Sequence, residues 1–190
     1  MNVEKLFTEH GALLKGHFLL SSGLHSDRYL QCALVLAQPG AAEQLGKALA
    51  ATSAMKPDLI LSPAMGGLMI GHEVARAFGV RHYFTERVDG TMILRRGFAL
   101  KPGENVIVVE DVVTTGKSTK EVFEVIRASG ANVMGALSIV DRTDGAINLG
   151  APYSALWKVS IPAWGPELCP PCRAGIPVIK PGSRMEKKNG

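Results

Sequence analysis

The chain has 190 residues, of which 46% are hydrophobic and 20% are charged, a composition typical of one soluble domain with its own core. No apolar run approaches the ~20 residues that span a membrane, and the N-terminus lacks the features of a signal peptide. We therefore expect a cytoplasmic protein with no membrane partner. The net charge of +4 resides in residues 173–190, which hold five basic residues and one acid, so the neutral body gives no reason to expect nucleic acid as a partner.

Short apolar runs alternate with helical patterns along the chain, and this alternation predicts an α/β fold. The first half of the chain carries three helical patterns and two strand patterns. They predict a helix over 3–10, a strand and turn over 16–23, a helix between Pro39 and Pro57, a strand over 58–61 with a turn over 62–67, and a helix that ends at Gly79.

In the second half of the chain, residues 106–109 are the most strand-like run. They are β-branched throughout, which is typical of a central parallel strand buried on both faces. Beyond Gly150 there is no helical periodicity. The predicted elements are a strand near 81–85, a hairpin around 91–94 or a mobile flap within 86–103, a strand over 105–109, a helix with Val122, Val125 and Ile126 inward that ends at Gly130, and a strand over 136–140.

The three cysteines do not form a disulfide framework. Cys169 and Cys172 form a Cys-Pro-Pro-Cys pair, but a structural zinc site needs four ligands and no second pair has a suitable spacing. Cys32 or a histidine could be recruited. We interpret the pair as two thiols in a tight proline turn and expect no metal there.

The strongest functional motif follows the buried strand. Glu110 and Asp111 stand at its carboxyl end, and residues 114–119 form a loop of Thr, Gly, Lys and Ser that opens a helix. Ligands of open α/β sheets bind at this end of the strands, and such a loop cradles a phosphate with backbone N–H groups. Two carboxylates would repel a bare phosphate, so they indicate a ligand with hydroxyls beside its phosphate, such as ribose 5-phosphate. They would also favour positive charge on the sugar ring in a transition state.

Two other interpretations of this motif explain less. Gly116-Lys117-Ser118 is similar to the end of a nucleotide-binding P-loop, but that motif needs glycine where this chain has Asp111. A helix merely capped by Ser118 or Thr119 accounts for the hydroxyls but not for the acids.

The string from Glu110 to Ser118 resembles the phosphoribosyl-pyrophosphate motif of the type I phosphoribosyltransferases. Shorter segments resemble the orotate phosphoribosyltransferases among them. These are the base-binding segment at 16–26, the aromatic stretch at 29–31, the pyrophosphate loop at 62–67 and the pair Asp141-Arg142.

This resemblance implies a doubly wound, mostly parallel sheet with a small hood. The hood would comprise about 1–40 and 150–185, and the core about 41–149. The resemblance further implies a donor, phosphoribosyl pyrophosphate, that carries Mg²⁺, and a homodimer with shared active sites. The implied reaction joins orotate to the ribose 5-phosphate of the donor, giving orotidine 5-monophosphate and pyrophosphate in pyrimidine synthesis.

The resemblance also assigns roles to residues. Glu110 and Asp111 would be catalytic, and orotate would contact Thr114, Ser21 and Arg142, whose guanidinium can grip a carboxylate with two hydrogen bonds. The residues implied to hold the donor are Glu110, Asp111, Val112, Val113, Thr114, Thr115, Gly116, Lys117, Ser118 and Arg87.

The chain departs from the family pattern at several positions. Ser21 stands where well-known members have a lysine, and the segment 86–97 has arginines where their mobile loop has lysines and a histidine. Arg95 and Arg96 are the candidates for stabilising the departing pyrophosphate, with Arg87 and Lys101 as further sources of charge.

Three alternatives stay open at this point. Arg142 could form a surface ion pair with Asp141 or Asp144. The acceptor could be a purine or uracil in place of orotate. The chain could also be a non-catalytic regulator that senses phosphoribosyl pyrophosphate.

Overall fold

The computed structural model describes residues 1–20, 22–145 and 147–181. Two sheets and six helices form in this part of the chain. In chain order the elements are α1 (Val3–Glu9), β1 (Leu13–Leu19), β2 (His25–Leu30), α2 (Cys32–Leu36), α3 (Pro39–Ala51), β3 (Leu59–Pro63), α4 (Gly67–Phe78), β4 (Arg81–Val88), β5 (Thr91–Leu94), β6 (Asn105–Val113), α5 (Lys117–Ala128), β7 (Asn132–Asp141), β8 (Tyr153–Lys158) and α6 (Pro170–Arg173).

The larger sheet has six strands in the order β5-β4-β3-β6-β7-β8. The pairs β3–β4, β3–β6, β6–β7 and β7–β8 are parallel, and only β5 at the edge is antiparallel. The chain runs outward to β4 and β5 on one side of β3 and to β7 and β8 on the other. The switch point of this doubly wound sheet therefore lies between β3 and β6, where such folds bind ligands.

Helices cover both faces of this sheet, and β6 shows why. Its side chains alternate, so that Ile107 and Val109 pack with the core of α3 and α4. Val106 and Val108 pack on the opposite face with α5, where Phe123 is fully buried. Burial of each such side chain contributes about 1.5–3 kcal/mol, and this two-sided burial makes β6 the centre of the fold.

Two predictions about local structure need correction, and one strand was not predicted. β6 continues to Val113 because its ladder to β7 continues as far as Val113 opposite Asp141, so the two acids lie within the strand and not after it. In α5 the predicted inward residues Val122 and Ile126 are fully buried, but the third such residue is Phe123, whereas Val125 is only half-buried. The segment beyond Gly150 forms an edge strand, β8. The predicted hairpin around 91–94 is confirmed by the antiparallel pairing of β4 and β5.

The smaller sheet is the antiparallel hairpin of β1 and β2. The C-terminal segment lies along it, with Phe18 bridged to Ile179 and His25 bridged to Trp164. The two ends of the described chain are thereby joined. Among the described residues, no helix has the length and apolar character needed to cross a membrane.

Candidate active site

The turn after β3 and the end of β6 meet at the switch point. The turn brings Gly66 so close to Asp111 that a Cβ atom on Gly66 would lie 2.5 Å from Oδ1 of the carboxylate. Likewise, a Cβ atom on Gly67 would lie 2.8 Å from the carbonyl oxygen of Val109. The close approach of the two segments requires glycine at both positions, and it forms one site from the turn and the acidic pair.

The carboxylates of Glu110 and Asp111 are largely removed from water. Glu110 is 9% exposed, and burial together with the neighbouring Asp111 holds the pKa of Glu110 well above its ordinary value. Burial also raises the pKa of Asp111, although the backbone N–H of Val112 donates to its Oδ1 at 2.9 Å. No described residue donates a hydrogen bond to the Glu110 side chain. The two carboxylates are therefore suited to a ligand that supplies hydrogen-bond donors, such as hydroxyl groups.

The loop after β6 has the form of an anion cradle. Gly116 has a φ of 68°, and a Cβ atom there would overlap Ile147 and lie 2.5 Å from Leu149, so the position requires glycine. Thr114, Thr115 and Lys117 are exposed around it. The loop leads directly into α5, whose first turn presents backbone N–H groups toward the same side.

Arg142 lies at the end of β7, next to the end of β6, and its guanidinium lacks a partner. The backbone N–H of Arg142 donates to the carbonyl of Val113 at 2.9 Å, which fixes the residue beside the phosphate loop. Its Nε is buried and has no hydrogen-bond partner among the described residues. The alternative ion pair is not formed, since Arg142 has no hydrogen bond or ion pair with Asp141 or Asp144, although burial lowers the pKa of the guanidinium and the Asp144 charge acts against that effect.

Tyr29 and Cys32 complete this region; the sequence had placed Tyr29 only in the aromatic stretch at 29–31 and had given Cys32 no role in this site. Burial and the Asp111 charge raise the pKa of the Tyr29 phenol, while the Arg142 charge opposes that rise. Burial and the same Asp111 charge raise the pKa of the Cys32 thiol well above its ordinary value. Both side chains are therefore close enough to Asp111 and Arg142 for the charges of those residues to act on them. Tyr29 lies within β2 and Cys32 begins α2, and only the packing of these elements against the large sheet brings them near Asp111, which has no local sequence signal.

The arginines of the β4–β5 hairpin differ in their contacts. Arg87 forms an ion pair with Glu121 of α5, and Arg96 forms a bidentate pair with Glu86 at 2.8 and 2.9 Å. Arg95 is exposed, and its side chain has no hydrogen bond or ion pair with any described residue. Arg95 is therefore the arginine that is free to meet a ligand.

The remaining predicted site residues occupy varied positions. Val113 is buried at the end of β6, Val112 is half-buried beside Asp111, and Ser118 is half-buried in the first turn of α5. Ser21 falls outside the described residues. These placements do not test the assigned roles, which stay predictions.

A second cluster joins β1, β2 and α6. His17, His25, Cys169 and Cys172 bring four possible ligand atoms within 4.8 Å of one another. The prediction that the Cys-Pro-Pro-Cys pair has no second pair to complete four ligands is therefore wrong. The two histidines come from a distant part of the chain, which ligand spacing cannot reveal.

Comparison with known proteins agrees with this site. The phosphoribosyl transferase domain family matches residues 35–164. An orotate phosphoribosyltransferase of Carboxydothermus hydrogenoformans is 49% identical over 187 residues, covering 97% of this chain and 98% of that protein. Another, of Pelotomaculum thermopropionicum, is 52% identical over 180 residues, covering 94% and 95%. The crystal structure of the enzyme from Aeropyrum pernix aligns with a TM-score of 0.69 at 27% identity, covering 83% of this chain and 94% of that one. The chain belongs to the phosphoribosyltransferase family, in its orotate branch.

Proposed function

We propose that this protein is an orotate phosphoribosyltransferase of pyrimidine synthesis. It transfers ribose 5-phosphate from phosphoribosyl pyrophosphate to orotate and releases orotidine 5-monophosphate and pyrophosphate. The single observation that carries the choice of orotate is the buried, unpartnered Nε of Arg142 beside the acidic pair. A buried donor without an acceptor is unfavourable by about 1–3 kcal/mol, and a carboxylate on the acceptor base would remove that penalty.

The donor occupies the cradle and the acidic pair together. Its 5-phosphate binds in the loop 114–119, supported by Thr114, Thr115 and Lys117, which are all exposed there. Its ribose hydroxyls donate to Glu110 and Asp111. Because both carboxyl groups have raised pKa values in the free protein, hydroxyl donors that stabilise their charged forms bind favourably.

Magnesium fits this site as an ion carried by the donor. Glu110 and Asp111 offer carboxylate oxygens only, which is the ligand type that Mg²⁺ prefers, and Mg²⁺ is usually held by one or two carboxylates with substrate phosphates. When bound, the ion would neutralise charge on the pyrophosphate. The turn that contains Gly66 lies against Asp111 and is the place for the pyrophosphate.

The chain's own residues then promote the exchange at the anomeric carbon. The bond from that carbon to the pyrophosphate oxygen breaks and pyrophosphate leaves with the bonding electrons, while a bond to a ring nitrogen of orotate forms and that N–H releases its proton to solvent. Glu110 and Asp111 stabilise the positive charge that grows on the ribose ring. Arg142 orients orotate through its carboxylate, with Thr114 and Ser21 as further contacts. Arg95 supplies positive charge to the departing pyrophosphate in the partner's site, while Arg96 and Arg87 are each paired with a glutamate.

The proposal includes a homodimer in which the hairpin completes the partner's site. An apolar groove of about 520 Å³ supports a contact with a second copy, since it is open and lined by Leu36, Leu68, Met69 and Phe84. Sedimentation of the purified protein tests the dimer, and a monomer at micromolar concentration would contradict it.

We also propose the division into a hood of about 1–40 and 150–185 and a core of 41–149. We propose further that the protein is located in the cytoplasm and has no nucleic acid or membrane partner.

A base-selectivity assay tests the function. The purified protein is mixed with Mg²⁺ and phosphoribosyl pyrophosphate, and pyrophosphate release is measured with orotate, uracil, adenine, hypoxanthine and guanine in separate reactions. We expect release with orotate alone. Release with another base instead would keep the donor site and reject the role of Arg142. Donor binding without release for any base would favour a sensor of the donor.

A further inference from the structure

The cluster of His17, His25, Cys169 and Cys172 is not explained by the transferase reaction. Its atoms lie at hydrogen-bond distances from one another: His17 Nε2 is 2.7 Å from His25 Nδ1 and 3.5 Å from each cysteine sulfur. Cys172 Sγ is also 3.2 Å from His25 Nδ1. His17 and Cys169 are almost wholly buried, and His25 is 9% exposed. Four ligand-type atoms thus point at one small volume.

Hydrogen bonds cannot satisfy this arrangement. His17 Nδ1 lies 2.6 Å from the carbonyl oxygen of Ile176, and because a carbonyl only accepts, Nδ1 must carry the proton. In the neutral ring, Nε2 then has one lone pair and no hydrogen. His25 and both thiols converge on that single lone pair, and one donor at most can use it. A central cation could instead be bound by all four groups at once, each through a lone pair.

The distances match tetrahedral zinc. With Zn–S of about 2.3 Å and Zn–N of about 2.0–2.1 Å, a regular tetrahedron has N···S edges of about 3.5 Å and an N···N edge of about 3.3 Å. The observed N···S distances are 3.5, 3.5 and 3.2 Å. The two nitrogens, at 2.7 Å, have to separate by about half an ångström to accept the ion, and all four ligand atoms lie within 4.8 Å of one another.

The surroundings are also those of a metal site. A histidine that binds a metal commonly donates its other N–H to a backbone carbonyl, as His17 does to Ile176. His25 is held by paired backbone hydrogen bonds with Trp164, both at 2.8 Å. Cys169 directly precedes α6 and Cys172 lies within it, so the two sulfurs come from one tight turn. The four ligands are therefore fixed by three different backbone elements.

We propose that His17, His25, Cys169 and Cys172 form a structural Zn²⁺ site that fastens the C-terminal segment to the β1–β2 hairpin. All four positions are protein ligands, so the site has no open position for catalysis and serves stability. The site holds α6, which is only four residues long, between the bridge of His25 to Trp164 and the bridge of Phe18 to Ile179. Zinc bound to the folded state alone would add its binding free energy to the stability of this region.

Metal analysis of the full-length, untagged protein tests the proposal. After expression with zinc in the medium and exhaustive dialysis, we expect about one zinc per chain by mass spectrometry. Cys169→Ser and Cys172→Ser should each lower that content at least tenfold. Cys32→Ser is the matched control, because Cys32 is a buried thiol outside the cluster, and its zinc content should stay at about one.

A second measurement covers the case in which the serine variants do not fold. The wild-type protein is stripped of metal and titrated with Co²⁺, which should give the visible and thiolate charge-transfer bands of tetrahedral cobalt and lose them on addition of zinc. Chelation should also lower the thermal unfolding temperature of the wild-type protein without substrates. Wild-type protein with less than about 0.1 zinc per chain and no cobalt bands would overturn the proposal. Full zinc content in both serine variants would also overturn it.

Discussion

The Asp111 carboxylate lies against the backbone of Gly66, where a Cβ atom would come within 2.5 Å of Oδ1. This contact joins the turn after β3 to the end of β6 and places the acid where both ribose and pyrophosphate of the donor would meet. A side chain at position 66 would displace the Asp111 carboxylate. We therefore expect donor binding to be sensitive to substitution of Gly66.

We expect Gly66→Ala to lower kcat/KM for phosphoribosyl pyrophosphate by about 10- to 100-fold, which corresponds to the loss of a charged hydrogen bond of about 1.5–3 kcal/mol. Gly40→Ala is the matched control, since no atom lies within 4 Å of a Cβ atom at that helical position. Steady-state kinetics for both variants gives the comparison. Unchanged kinetics in Gly66→Ala would mean that Asp111 does not contact the donor.

Glu110 links the site to the pH dependence of stability. Burial and Asp111 raise its pKa above the ordinary value of 4.5. The stabilisation that comes from protonated Glu110 is therefore fully present below pH 4.5 and is lost as the pH rises through the raised pKa. Glu110→Gln should therefore be more stable than the wild-type protein at pH 8, with a difference that shrinks toward pH 4.5. Denaturant unfolding at both pH values measures it.

The same variant should be a poor enzyme. Loss of the charged acceptor for a ribose hydroxyl should lower kcat/KM by about 10- to 100-fold. A Glu110→Gln protein that is both less stable at pH 8 and fully active would contradict both roles. The stability measurement separates a misfolded variant from one that has lost only its chemistry.

Arg95 and Arg96 are adjacent but should respond differently to truncation. Arg95 has no described partner, so Arg95→Ala should leave stability unchanged and lower kcat about 10- to 100-fold if it meets the pyrophosphate. Arg96 is held by Glu86, and loss of that exposed pair should change the free energy of unfolding by less than about 1 kcal/mol with little change in kcat. An equal loss of kcat in both variants would show that the Glu86–Arg96 pair opens during turnover.

Local patterns in the sequence predicted the parts of the fold that depend on near neighbours. Three features lie within a dozen residues of one another: the β-branched run 106–109, the acids after it and Gly116, which directly precedes α5. Their physical roles follow from that proximity. The extent of β6 was underestimated because two acids interrupt its hydrophobic pattern, and its last residues form a strand through their pairing with β7. β8 was missed because its half-buried side chains show no alternation.

Long-range geometry explains the rest of what was missed. His17 and Cys169 are 152 residues apart, and only the pairing of the C-terminal segment with β1 brings them together. The missing partner of Arg142 is likewise a property of the folded site, since two acids lie within two residues of it in the sequence and neither reaches it.

The most direct test of orotate recognition compares the wild-type protein with Arg142→Ala and Arg142→Lys, using kcat/KM for orotate and the dissociation constant for phosphoribosyl pyrophosphate. We expect kcat/KM for orotate to fall by about 10- to 1000-fold in Arg142→Ala, because a buried bidentate pair is lost, and to recover only partly in Arg142→Lys. Donor affinity should stay within about twofold, since the role proposed for Arg142 is to contact the base and not the donor. Full activity with orotate in Arg142→Ala would contradict the assignment of orotate to this arginine.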